Sequence, residues 1–492
     1  MPDARCTRRD FVKAAGALAG LSPSIACRQN TAVPPPPAPA DYTLNIAVKP
    51  VDLALNRIVS TTTYNGQFPG PLLRLKEGKQ ITVDINNATD TPEQLHWHGQ
   101  FLPADVDGSA EEGTPFIPPH GSRRITFVPK PSGLRFYHTH VRAGANLGAG
   151  QYTGLVGPVY IEPKDNPGHY DQEIFLTLKE FEPTLSRGGD MAMDFLSPAD
   201  AVKELKDSGE GSMSASLDRC MPHGFEVGYG SFTINGRMLG SGEPIRVKQG
   251  ERVLFHILNG SATEIRSLAL PGHTFTVVAL DGNPIPKPVN VPGLWLGTAE
   301  RVSAIVEMNH PGVWIMGDTA NDDREHGMGI AIEYAGRNGK PRWVAPKPFR
   351  WNYAQFGNPG AAAAAPEQIF TMTFAKQNAA DGGFNRWTIN GVSFSDQHMH
   401  PMFQVKQGKR YRLRMRNGSD DIHPIHLHRH SFELTRVAGQ ATSGVFKDVA
   451  MVGGYQEMEV DFVADNPGLT LFHCHQQLHM DFGFMALFEY VS

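Results

Sequence analysis

"TINGVSFSDQHMHPMFQVKQGKRYRLRMRNGSD", residues 388–420, decides the fold, because the chain holds two further stretches cut to the same plan. They are "TYNGQFPGPLLRLKEGKQITVDINNAT" (63–89) and "TINGRMLGSGEPIRVKQGERVLFHILNGSA" (233–262). Each has an Asn-Gly pair (at 65, 235 and 390), a later turn glycine (78, 250, 408), and an asparagine nine residues beyond it (87, 259, 417). Between the last two landmarks runs an alternating segment such as "YRLRMRN" or "RVLFHILN", the pattern of a half-buried strand. The ends of the units repeat as well: "GLRFYHTHVRAG" (133–144), "GVWIMGDTANDDREHGMGIAIEY" (312–334) and "GLTLFHCHQQLHMDFGFMALFEY" (468–490). Short alternating strands punctuated by Gly and Pro predict β-sandwiches, and the threefold repeat predicts three in a row. A unit of about 150 residues is the size of one domain.

The expected division is therefore 42–163, 164–350 and 351–492, each an all-β sandwich. The polar run Asp200–Gly211 predicts a short helix in the middle unit, and "GNPGAAAAAPE" (357–367) reads as a linker before the third. Net charge is −5 with 19 % charged residues. No basic face is implied, which excludes nucleic acid as an expected partner.

Residues 1–26 stand apart. Arg8 and Arg9 precede Phe11-Val12-Lys13 and a short apolar stretch, which resembles a twin-arginine export signal, with Ser24-Ile25-Ala26 as a small-x-small cleavage site. The stretch is too short and interrupted to span a membrane. An exported protein of the periplasm or cell envelope is expected. Residues 27–41, with "TAVPPPPAPA", read as a Pro-rich tether, and Cys27 is a candidate lipid anchor. Cys220 reads as a small core residue.

Histidine carries the chemistry. Four His-x-His pairs are singled out: His96/His98, His138/His140, His426/His428 and His473/His475. On a strand each pair presents two imidazoles on one face. The pairs fall at matching landmarks of the first and third units and are missing from the middle one. Eight imidazoles so placed predict more than one metal. Cys474 lies between His473 and His475 and faces the other way, with His423 and His479 as its partners in a His₂Cys set. Thiolate with two imidazoles suits an electron-transfer copper, whereas zinc has no redox chemistry for such wiring to serve.

With these motifs the chain, over roughly residues 42–492, resembles a three-domain multicopper oxidase, the family of laccases and bacterial cuprous oxidases. The resemblance implies cupredoxin-like Greek-key sandwiches and four coppers per chain. His423, Cys474 and His479 resemble the type 1 (blue) copper ligands, and His96 and His426 those of type 2. His98, His138 and His475 match one type 3 copper; His140, His428 and His473 match the other. Cys474 then takes electrons at the blue copper and its neighbours pass them to a trinuclear cluster between domains 1 and 3. Asp107, eleven residues after His96, matches an acid credited with proton supply; the alternative is an Asp-Gly turn residue. Expected partners are dioxygen and a small aromatic donor or Cu(I).

The pattern departs in places. The axial position, ten residues after Cys474, is Phe484 rather than methionine, which predicts a raised blue-site potential. Met485 would be the ligand if the loop were shifted by one residue. An acid six residues after the cysteine in bacterial members is Met480 here, with Asp481 next, so that relay role is open. The loop after His140 is longer than in fungal laccases and resembles the cuprous-oxidase branch. The middle unit has Gly317 and Asp318 in the histidine positions, and His273 reads as an isolated remnant; no copper is expected there. "QHMHPM" (397–402) reads as an irregular loop, with a Cu(I) uptake site as the alternative. Met191, Met193, Met213 and Met221 are too sparse for a methionine-rich insert. Three functions are weighed: a laccase-like oxidase of phenols or aromatic amines, a cuprous-ion oxidase, and a non-catalytic copper-binding or envelope protein. Eleven intact ligands favour an enzyme.

Overall fold

The computed structural model describes residues 38–164, 168–186, 224–358, 360, 364–395 and 400–491. The export signal, Cys27, Cys220, the expected helix at Asp200–Gly211, the four methionines between 191 and 221 and most of "QHMH" lie outside the described residues.

Three pairs of sheets follow one another along the chain. In the first pair, Arg57–Tyr64, Tyr42–Ala54, Ile81–Asn87 and Ser122–Phe127 face Leu73–Lys76, Val156–Glu162, Gly133–His138 and His96–His98. The middle pair runs from strand Gln172–Ser186 to Gly329–Tyr334, and the last from Gln368–Asp381 to Met485–Val491. Strand burial alternates where one face meets water, as in Ile81–Asn87, and the buried faces fill the sandwich cores.

The repeated landmarks have physical causes. Both residues of each Asn-Gly pair sit at positive φ: 54° and 72°, 53° and 74°, 52° and 80° in chain order. That turn geometry matches strand twist, and Asn-Gly tolerates it best. Each turn asparagine also ties itself to a neighbouring strand. Its Oδ1 accepts the backbone N–H of Asn45, Thr177 or Thr373 at 2.6–2.8 Å, and its Nδ2 donates to a carbonyl two residues earlier. Asn87, Asn259 and Asn417 end the next strand at one register position, opposite Ile46, Leu178 and Phe374 in three parallel pairs. Their buried amides donate to carbonyls of the following loop, such as Thr91, Glu264 and Asp421. In the first and last sandwiches that loop leads to His96 and His423.

The middle sandwich fills the equivalent place differently. Its strand Arg266–Ala269 pairs with Val313–Asp318 as His423–Leu427 pairs with Thr470–Cys474. Arg266, fully buried, meets Glu180 at 2.7 Å, Asp323 at 2.6 Å, and Glu264 and Asp318 at 3.6 and 3.8 Å. His273 lies elsewhere, its ring nitrogens at Pro271 O and the Tyr334 hydroxyl.

A second buried network joins all three units. The Asp448 carboxylate accepts two hydrogen bonds of 2.6 Å from Arg301 and one of 3.2 Å from Arg135. Lys447 bridges Asp281 and Glu300, both at 2.9 Å. Charges this deep persist only when paired, so the network fixes the first and last sandwiches against the middle one.

Candidate metal centre

Strand pairing sets the imidazoles in place. His96 lies opposite His138 in one antiparallel pair, and His426 opposite His473 in another. Period-2 alternation sends each His-x-His pair to one face. The two faces meet, and rings of the first sandwich stack on rings of the last: His96 on His428 with centroids 4.1 Å apart, His98 on His426 at 3.8 Å. His475 lies 5.0 Å from both His98 and His138, and His140 lies 4.9 Å from His428 and 5.4 Å from His473. Ligating atoms converge within 4.8 Å in His96/His426/His428, His96/His98/His138 and His140/His428/His473. All eight predicted cluster histidines are therefore brought together and buried.

The hydrogen bonds test whether a metal fits. Nδ1 of His138, His426 and His473 faces the backbone carbonyls of Thr139, Asp448 and Cys474 at 2.7–2.8 Å. His96 Nδ1 faces the Asp107 carbonyl at 2.9 Å and its carboxylate at 3.0 Å; His428 Nδ1 faces the same carboxylate at 3.0 Å. His98 uses Nε2, at 3.1 Å from Asp448. Each acceptor holds the proton on that nitrogen and leaves the other as a bare lone pair. Among the described residues, His96 Nε2, His98 Nδ1, His138 Nε2, His426 Nε2 and both nitrogens of His140 and His475 have no hydrogen-bond partner. His428 Nε2 and His473 Nε2 face each other at 3.1 Å, lone pair to lone pair. Such a constellation is stable around cations. Burial, aided by repulsion among the rings, lowers His98, His138, His426, His428 and His475, and draws His140 and His473 down to about 3. Neutral imidazole is the form that ligates.

The second constellation lies between the two sheets of the last sandwich. Cys474 Sγ is 3.6 Å from His423 Nδ1 and 3.5 Å from His479 Nδ1, and those nitrogens are 3.2 Å apart. His479 arrives on a short helix, Gln477–Asp481. Burial raises the Cys474 thiol, so a metal must displace its proton. Phe484 is fully buried with its ring 4.7 Å from that of His423. Met485 points the other way, packed with Phe394, Leu471, Met480 and Leu487.

Acids complete the site. Asp107 ends the helix Ala104–Asp107, and Gly108 caps it at φ 105°. It is both the Asp-Gly turn residue and the carboxylate between His96 and His428. Burial would raise it, but His96 and hydrogen bonds hold it low. Glu112, 3.3 Å from His428, is pushed well up by burial and by the charge of Asp107. Sequence reasoning missed Glu112 and Asp448. The "EE" at 111–112 was the available signal for the first; nothing local marks the second, which reaches His98 from 350 residues away. Asp481 accepts from the backbone N–H groups of Ala143 and Gly144 at 2.9 and 2.7 Å and from Gln477 at 2.8 Å. It clamps the loop after His140.

Comparison with known proteins agrees with this geometry. Profiles described as multicopper oxidase match residues 47–166, 200–335 and 364–492. Multicopper oxidase MmcO of Mycobacterium tuberculosis is 31 % identical over 88 % of this chain and 84 % of its own. Laccase-2 of Fomitopsis schrenkii is 26 % identical over 89 % and 90 %. Among solved structures, a multi-copper oxidase from Pseudomonas thermotolerans superposes with a TM-score of 0.65 at 25 % identity, covering 92 % of this chain and 98 % of that one. The all-β architecture of cupredoxin-like sandwiches is thus shared.

Proposed function

The chain belongs to the multicopper oxidase family, and from that premise we propose that it oxidises phenols or aromatic amines one electron at a time at His423/Cys474/His479 and reduces dioxygen to water at the eight-imidazole cluster. Copper, when bound, supplies the one-electron acceptance and the four-electron reduction. Four donors, four protons and one dioxygen balance two waters.

The observation that carries this reading is the tripeptide His473-Cys474-His475. Its thiol lies with His423 and His479, while both its imidazoles lie in the cluster. A single strand end thus belongs to both sites. His96 and His426 are assigned to the type 2 copper, with His98, His138, His475 and His140, His428, His473 holding the type 3 pair. Asp107 orients His96 and His428 through their Nδ1 protons. Glu112 carries a proton on its carboxyl beside Asp107, a pair suited to deliver it at the cluster's edge. Phe484 leaves the blue site without a thioether. Export by the twin-arginine route, followed by cleavage after Ala26 or lipid attachment at Cys27, completes the proposal. Among the described residues no helix is long and apolar enough to cross a membrane.

Copper-reconstituted protein should contain about four coppers per chain and show an intense blue band from Cys474. Oxygen consumption should be sustained by a phenol or aromatic diamine; turnover with Cu(I) alone would move the donor to the cuprous ion. Zinc alone, or copper without a blue band, would sink the assignment. Lysines in place of Arg8 and Arg9 should strand the precursor in the cytoplasm, and normal export would count against the twin-arginine route.

A further inference from the structure

One cavity reaches the flank of the imidazole cluster from the middle sandwich. Its lining includes Phe136, His138 and Val156 of the first sandwich, His475 of the last, and Gln151 and Lys179. It encloses roughly 230 Å³ with its open mouth included, and its interior has room for about one water-sized occupant.

Other polar side chains of the lining are already bonded: Thr153 Oγ1 donates to the Gly150 carbonyl, Asn259 Nδ2 to those of Glu264 and Leu296, and Ser261 Oγ accepts from the N–H groups of Thr263 and Glu264. Lys179 is 1 % exposed, and its ammonium donates to the backbone carbonyl of Gln151. Among the described residues no carboxylate forms an ion pair with it. The neighbouring Glu180 points to the opposite face of the strand and is bound to Arg266 at 2.7 Å. Burial, opposed by the charge of Glu180, draws Lys179 down to about 8, which leaves it cationic at neutral pH. Gln151 is 6 % exposed, and its Nε2 has no hydrogen-bond partner among the described residues. A buried cation lacking a counter-ion, beside an unused amide donor, is costly unless something accepts from both. Phe136, Leu155 and Val156 in the lining, together with the small volume, disfavour a strongly hydrated dianion such as sulfate.

We propose that this cavity binds one small monovalent anion, a halide or one of similar size, held by Lys179 Nζ and Gln151 Nε2 against the His138/His475 side of the cluster. The anion supplies the missing acceptor and neutralises the buried charge. It also occupies the space through which a small molecule would approach those two imidazoles from the middle sandwich. The determinants are Lys179 and Gln151 rather than the metal ligands, so binding is separable from the oxidase reading.

Crystals of the copper-loaded protein soaked in bromide, with data collected at the bromine absorption edge, test this directly. Anomalous density is expected between Lys179 Nζ and Gln151 Nε2. Lys179→Met removes the charge at similar length, and Gln151→Glu supplies an internal carboxylate to Lys179. Each should abolish that density and weaken chloride binding, measured by titration calorimetry, about tenfold or more, with copper content and blue band retained. Should Lys179→Met fail to fold, Gln151→Glu carries the same expectation. A cavity without bromide in the unsubstituted protein, or bromide retained in both variants, overturns the proposal whatever the oxidase activity is.

Discussion

At position 474 one residue contributes to two sites by different means: the thiol faces His423 and His479, while the backbone carbonyl accepts from His473 Nδ1 at 2.8 Å. Cys474→Ser should therefore abolish the blue band and donor oxidation, yet leave a cluster whose imidazoles still bind copper, checked by absorbance and metal analysis. Ten residues on, the Phe484 ring packs on His423, with Trp387 and Phe374 around it. Phe484→Met would add a weak sulfur donor, which favours Cu(II) over Cu(I) and lowers the potential. Each fall of about 59 mV costs tenfold in the equilibrium for one-electron uptake, so hard-to-oxidise donors should slow first in redox titration and turnover. Met485→Leu should leave the potential unchanged, because that side chain packs on the far side of the strand; a raised potential there would reverse the assignment. The ligands themselves were legible because metal chemistry demands particular residue types at the strand period. Their protonation was not: which nitrogen of each ring is free depends on carbonyls and carboxylates that only the folded chain supplies.

Strands and turns show where legibility stopped. The Asn-Gly turns and the buried strand-end asparagines could be read as a repeat because each satisfies its own local backbone groups, and local chemistry leaves a local signature. The short helix carrying His479 left none, since five residues are too few to show a helical period. Asp448 is the sharper case. It follows strand Phe446–Lys447 and precedes Val449–Val452, an unremarkable stretch in sequence, yet its carboxylate joins His98 to Arg135 and Arg301. Asp448→Asn would keep the shape and delete the charge, leaving two buried guanidiniums short of a counter-ion. Breaking a buried pair in this way costs about 3–5 kcal/mol, to be read from denaturant unfolding of the copper-free protein. Because His98 would lose its charged acceptor, copper occupancy of the cluster should fall while the blue band, fed by His423 and His479, survives. Equal loss of both would mean that Asp448 supports the fold as a whole and not His98 in particular.

At the scale of the whole molecule, the metal centre ties two distant parts of the chain together with groups that protons compete for. In the copper-free protein His140, His473 and His479 are held to about 3 and His430 to about 4, chiefly by burial. Unfolded histidine titrates near 6.5. Between those values the unfolded chain binds more protons, so stability is fully present above about pH 6.5 and is lost as pH falls through the folded values. Three buried or half-buried carboxyls run the other way. Asp481 at about 6, Glu93 at about 7 and Glu226 at about 8 are raised, again first by burial; their contribution is complete below about pH 4 and is lost as pH rises through 6 to 8. The lowered imidazoles outnumber these raised acids, so the copper-free protein should reach its highest Tm near pH 6.5, with the steeper fall on the acid side. Copper fills the free lone pairs and binds the folded state only, which raises Tm at neutral pH by mass action. The loaded protein should then hold its Tm into mild acid until protons displace the metal, at which point blue absorbance and Tm drop together. Scanning calorimetry from pH 4 to 9 on loaded and depleted samples reads both curves. A depleted protein whose Tm stays flat between pH 4 and 6.5 would mean that the imidazoles are already hydrated or protonated in the folded chain, and the buried, cation-ready cluster described here would be wrong.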